Sequence, residues 1–165
     1  MSLARVAAAA ALTAAFTLFA VTAVYAKPLV VVTLSQATVV TAADGTSHLA
    51  VLDGGTPIAK GVVIRYTISA KDTGSDPASR LELTGHVPPG TAFAAGSVRG
   101  PGGHAEFSLD AKTFSAHPMV AVKNAAGDVV MQPADPAQYV LIRWIKDGPL
   151  AAASTAGFAY DVQVQ

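Results

Sequence analysis

The sequence predicts an all-β fold, an antiparallel two-sheet sandwich preceded by an N-terminal signal helix. Three observations carry this expectation. An uncharged apolar run is confined to the start of the chain, short stretches alternating apolar and polar side chains follow it, and turn signals such as Asp44-Gly45, Pro89-Gly90 and Gly127-Asp128 separate those stretches. No segment after Ala26 sustains a helical period.

The first 26 of the 165 residues have the layout of an export signal. Arg5 gives a positive start, the run from Val6 to Ala26 carries no charge, and Ala23-Val24-Tyr25-Ala26 places small residues where signal peptidase inspects them. An uncleaved membrane anchor is the competing reading, but the heavy alanine content and the ending with Val24 and Ala26 at the inspected positions favour cleavage after Ala26. The expected division is therefore residues 1–26 as signal peptide and 27–165 as one domain, exported to the periplasm or the extracellular space. No second apolar segment of spanning length follows, so no membrane span is expected after cleavage.

Charge and cysteine usage narrow the function classes. With 11 basic against 11 acidic residues and no cluster of either sign, the chain lacks the basic patch that nucleic acid or an anionic membrane surface demands. An exported domain with no cysteine must be held by its core alone.

The elements follow in order. Leu29 to Thr41, rich in Val and Thr, reads as one long strand or two short ones with a bend at Ser35-Gln36. Asp44-Gly45 and Asp53-Gly54-Gly55 bracket a short strand around His48 to Leu52. Val62 to Ala70 is the clearest strand, with Ile64, Tyr66 and Ile68 on one face and Arg65, Thr67 and Ser69 on the other. After a polar turn from Lys71 to Ser79, Leu81, Leu83, Gly85 and Val87 alternate with Glu82, Thr84 and His86 until Pro88-Pro89-Gly90 stops the strand. Short strands are expected at Thr91 to Phe93, Ala105 to Leu109 and Met119 to Lys123, with a hairpin loop over 124–128 leading into Val129 to Met131. Two strong elements close the chain. Gln138 to Lys146 carries Val140, Ile142 and Trp144 on one face, and Ala156 to Gln165 carries Phe158, Tyr160, Val162 and Val164. Trp144, the single tryptophan, is assigned with Ile64, Tyr66 and Phe158 to one core between the sheets.

Several of these segments resemble the bacterial conserved-repeat surface domain known as domain of unknown function 11. The resemblance rests on Arg65-Tyr66-Thr67-Ile68 followed by Asp72-Thr73-Gly74 and Pro77-Ala78, with Asp72 where the family more often has Asn. It continues through Leu81 to Thr84, Val87-Pro88-Pro89-Gly90-Thr91-Ala92-Phe93, Tyr139 to Trp144 and Gly148 to Ala152. It implies an immunoglobulin-like fold used as surface architecture in envelope proteins and adhesins, and it implies no reaction.

The chemistry-bearing residues form no recognisable catalytic pattern. His48, His86, His104 and His117 show no paired spacing, Gly-x-Ser-x-Gly is absent, and Gly100-Pro101-Gly102-Gly103 lacks the Lys-Ser/Thr of a phosphate loop. His86 reads as a solvated residue on a polar face, and His104 as part of the glycine loop. Asp44, Asp53, Asp72, Asp76, Asp110 and Asp128 fall singly in turns, where capping of their own backbone is a better account than calcium. The expectation is a structural or binding module and not an enzyme, with no catalytic, metal or cofactor-binding residue assigned. Protein partners or self-association remain open. Residues 29–40 either complete the chain's own sheet or add to a neighbour's edge in a surface fibre, and a role as accessory partner of a secreted hydrolase is the remaining alternative.

Overall fold

The computed structural model describes residues 27–52 and 57–165; the proposed signal segment and the Asp53-Gly54-Gly55 turn lie outside them. Ten strands follow in order: β1 (Val30–Thr41), β2 (Ser47–Val51), β3 (Val63–Asp72), β4 (Glu82–His86), β5 (Thr91–Phe93), β6 (Gly103–Ser108), β7 (Met119–Lys123), β8 (Val129–Pro133), β9 (Leu141–Lys146) and β10 (Thr155–Val164). A 3-10 turn, Pro136–Gln138, separates β8 from β9. All pairings are antiparallel, in a five-stranded sheet ordered β2-β1-β3-β10-β5, a three-stranded sheet ordered β4-β9-β6, and the β7-β8 ribbon. The described part is thus an all-β, sandwich-like arrangement, and no helix in it is long and apolar enough to cross a membrane.

Strand β3 is the axis of the larger sheet. It pairs with β1 from Val30↔Asp72 to Val39↔Val63, and with β10 from Thr155↔Lys71 to Gln163↔Val63. Consequently β1 and β10 run in the same direction on either side of β3. The start of β1 sits at one end of the sheet and the end of β10 at the other.

The period-2 pattern decides which face is buried. Ile64, Ile68 and Ala70 of β3 and Ala156, Phe158, Tyr160 and Val162 of β10 point at Leu83 of β4 and at Ile142 and Trp144 of β9. Trp144, 1% exposed, stacks on Phe158 at 5.9 Å, Phe158 stacks on Tyr160 at 5.8 Å, and Tyr160 stacks on Tyr66 at 5.5 Å. A second aromatic group, Phe93, Phe107 and Tyr139, fills the flank nearest β5 and β6 with centroids 4.7 to 5.8 Å apart. Gly103 is packed flat against the Trp144 indole, where a Cβ would lie about 2.7 Å from the ring. This glycine therefore belongs to β6 and not to a loop, and His104 follows it on the strand, a correction to the sequence reading.

Other differences have equally local causes. The Leu29 to Thr41 region is one strand without a break at Ser35-Gln36, because β3 pairs along nearly its whole length. The penultimate strand begins at Leu141, since Pro136 opens a 3-10 turn whose Asp135 side chain caps Ala137 N–H at 2.9 Å. Tyr66 is half-buried where full burial is expected, because its outer side looks onto β1, which no strand of the smaller sheet covers.

Replacing Trp144 by Ala is expected to cost about 3–5 kcal/mol, the range for deleting a fully buried aromatic. Thermal or urea unfolding measures this, and unchanged stability places the ring outside the core.

Candidate interaction surface

The buried polar groups are all engaged in holding the fold. Asp72, fully buried at the end of β3, accepts hydrogen bonds from the N–H groups of Leu29 (3.2 Å), Gly74 (2.9 Å) and Ala78 (3.1 Å), tying the start of β1 and the following loop to one carboxylate. On the outer face of the larger sheet, Asp161 receives both Arg65 Nε (2.7 Å) and Arg65 Nη2 (2.9 Å), with Arg99 Nη1 at 3.2 Å. Ser97 Oγ accepts from Asp161 N–H at 3.0 Å and so replaces a strand partner where the chain bulges away from β10. Burial opposes ionisation of Asp161, yet the hydrogen bonds and charges of Arg65 and Arg99 outweigh it and hold the carboxyl below its ordinary value.

The histidines are dispersed over β2, β4, β6 and the loop before β7. His104 Nδ1 lies 3.6 Å from Asp147 Oδ1 in an exposed pair. Among the described residues no three His, Cys, Asp or Glu side chains gather closely enough to hold a metal ion. Of the turn aspartates, Asp44 accepts Thr46 N–H at 2.9 Å, and Asp110 accepts Lys112 and Thr113 N–H at 2.8 and 2.7 Å. These are backbone caps, and the bonds to Thr113 and Lys112 keep the Asp110 carboxyl far below the usual range. Arg143 on the outer face of β9 is spanned by Glu106 and Glu82 and lies over the Phe114 ring at 4.2 Å.

The unequal widths of the two sheets produce the most distinctive surface. β4 lies over β3, and β1 projects beyond it. Val32 and Leu34, opposite Ala70 and Ile68, share the core-facing side of the larger sheet but are 55% and 61% exposed. They floor a cleft of about 300 Å³ whose wall is Tyr66, Thr84, Gly85 and His86. Gly85 is required there, because a Cβ would collide with the Tyr160 ring, whose hydroxyl donates to His86 O at 2.6 Å. A shallower trough of about 440 Å³ lies on the opposite face around Thr67, Ser69, Arg99 and Gly157.

β1 also leaves part of its backbone open. β2 pairs only with Ala37 to Thr41, so among the described residues the other edge of Val30 to Gln36 has no strand beside it. Leu29 O accepts Thr73 N–H at 2.7 Å from the β3 side, whereas Ala42 N–H donates to Thr46 O at 2.8 Å on the β2 side. Alternation then directs the backbone groups of odd-numbered residues to β3 and those of Val30, Val32, Leu34 and Gln36 to the open edge. The sequence shows the apolar run but not this feature, which depends on how short β2 is. The β7-β8 ribbon is a second exposed apolar element, with Val129, Val130 and Met131 uncovered.

No family model, no curated protein and no solved structure matches the chain.

Asp161 supplies a pH test. A carboxyl held below its unfolded value of about 3.9 stabilises the fold above that pH, and the contribution is lost as pH falls through the lowered folded value. Asp161→Asn is expected to be the less stable protein at neutral pH by about 3 kcal/mol, the scale for breaking a largely buried pair. The two proteins should converge in Tm below about pH 4. Parallel curves throughout the acid range contradict this assignment.

Proposed function

We propose that this chain is an exported, non-catalytic module with an immunoglobulin-like sandwich, acting by non-covalent contact in the bacterial envelope or outside the cell. The observation that carries the reading is the stretch Val30 to Gln36, with Val32 and Leu34 exposed beside the β4 cleft and, among the described residues, no strand along its outer backbone edge. Exposed apolar edges are normally blunted by charge, proline or a covering element, and no charged or proline residue interrupts β1. Its retention fits a surface used for contact.

Two further arguments support the reading. The charged start, apolar run and Val24-Tyr25-Ala26 ending of residues 1–26 fit export, and the resemblance of Arg65 to Ala78 and Val87 to Phe93 to the conserved-repeat surface domain fits a role in surface architecture. On the outer face of one sheet Asp161 pairs with Arg65 and Arg99, and on that of the other Arg143 pairs with Glu106 and Glu82, as expected of a scaffold.

The test uses living cells. Mass spectrometry of the exported protein is expected to give an N-terminus at Lys27. A photo-crosslinking amino acid at Leu34 is expected to yield adducts with other macromolecules or further copies, and the same group at exposed Gln163 none. A cytoplasmic protein retaining Met1, or equal yields at both positions, overturns the proposal.

A further inference from the structure

We propose that the trough on the outer face of the larger sheet is a binding site of its own, for an extended oligosaccharide that carries carboxylates at intervals along its chain. It lies on the face opposite the β4 cleft and does not depend on the β1 edge.

Alternation builds the trough. Along β3 it turns Arg65, Thr67, Ser69 and Lys71 outward, and along β10 it turns Thr155, Gly157, Ala159 and Asp161 the same way. Gly157 and Ala159 make a low floor, with Thr67 and Ser69 on one side. The other side is the segment Arg99 to Pro101, held against β10 by Arg99 N–H to Ala159 O at 2.8 Å and Ala159 N–H to Arg99 O at 2.7 Å. The enclosed space is about 440 Å³.

The polar groups around this floor are left over from folding. Hydroxyls elsewhere are engaged, as where Thr38, Thr73, Thr91 and Ser154 donate to backbone carbonyls. Those of Thr67, Ser69 and Thr155 have no hydrogen-bond partner among the described residues. Arg99 uses Nη1 alone, on Ser97 O at 2.9 Å and Asp161 Oδ2 at 3.2 Å. Its Nε and Nη2 donate to no described residue. At the far end Lys71, opposite Thr155, is exposed and its ammonium is also unpaired among the described residues. Asp161, the one acid facing outward on β3 and β10, is already gripped by both Nε and Nη2 of Arg65. Arg65, Lys71 and Arg99 against Asp161 leave this face two net positive charges.

These features select the ligand. The floor is the face of a sheet in which β3 has a ladder on both sides, so no backbone row is offered there to an added peptide strand. What is offered is a set of hydroxyls, each able to donate and to accept, which matches the hydroxyls of a sugar. The free N–H groups of Arg99 and the Lys71 ammonium add a preference for carboxylates. Arg99 stands beside Ala159 and Lys71 beside Thr155, four residues apart on β10, so their backbones are separated by about 13 Å. One small anion does not bridge that span. Nucleic acid, with one charge per about 1.7 Å of duplex, is far denser in charge than two such cations neutralise. A carboxylated sugar chain lying along the trough satisfies both the spacing and the hydroxyls.

The test is a titration of the purified protein with oligogalacturonate at low ionic strength, followed by two-dimensional NMR. Saturable binding is expected, with amide shifts centred on 67–71, 99–101 and 155–159 and an affinity that falls as salt is added. Lys71→Gln is expected to weaken binding about threefold at unchanged Tm, the scale of one exposed charge pair. Arg99→Gln should weaken it by about tenfold, and Leu34→Lys on the other face should leave it unaltered. The methyl-esterified oligomer should bind about tenfold more weakly than the free acid. Failure to saturate at millimolar oligogalacturonate overturns the proposal, as do equal affinity for the ester and full affinity in the Lys71→Gln protein. Equal or tighter binding of polyglutamate or of DNA would assign the trough to a different anion and overturn it as well.

Discussion

The pairing of β3 with β10 is the constraint on which the remaining structure depends. Its register brings Tyr66 opposite Tyr160 and Ile68 opposite Phe158 on the inner face, and Arg65 opposite Asp161 on the outer face. A slip by one residue would send the aromatics to solvent and the ion pair into the core, so both faces specify the same alignment. From Tyr160 and Phe158 the stack reaches Trp144, and through Trp144 it fixes the height of the smaller sheet above the larger one. In a chain without cysteine this packing, and no disulfide, joins the two sheets.

Strands with one buried side were the legible ones. The alternation in Val62 to Ala70 and Ala156 to Gln165 locates β3 and β10 to within two residues, and Met119 to Lys123 coincides with β7. Boundaries failed where tertiary contact, and not local pattern, set them. Gly103 enters β6 because the Trp144 ring needs a residue with no side chain beside it, and no feature of Gly100 to Gly103 announces that ring. β8 extends to Pro133, beyond the apolar residues, because Gln132 and Pro133 still lie opposite Val120 and Met119. The role of Asp72 was read only as turn chemistry, whereas its carboxylate ties the start of β1 to the loop that follows β3.

The candidate interaction surface was legible in composition and hidden in geometry. Leu29 to Val40 is visibly apolar and uncharged. That its first half has no strand beside it among the described residues follows from β2 stopping at Val51, and that Val32 and Leu34 face a cleft follows from the smaller sheet being two strands narrower than the larger. Neither property belongs to the segment itself. Both arise from the lengths and number of its neighbours, which alternation alone does not report.

The parallel course of β1 and β10 on either side of β3 has a mechanical consequence. Leu29 is held at one end of the sheet by Asp72, and Val164 is held at the other by Val62 and Gly61. Tension applied between those two points runs along the strands and loads both β3 ladders in shear. Many hydrogen bonds must then yield together, where force directed across the strands would open them one after another. The topology therefore resists stretching along its long axis, the direction in which a protein tethered at both ends would be pulled.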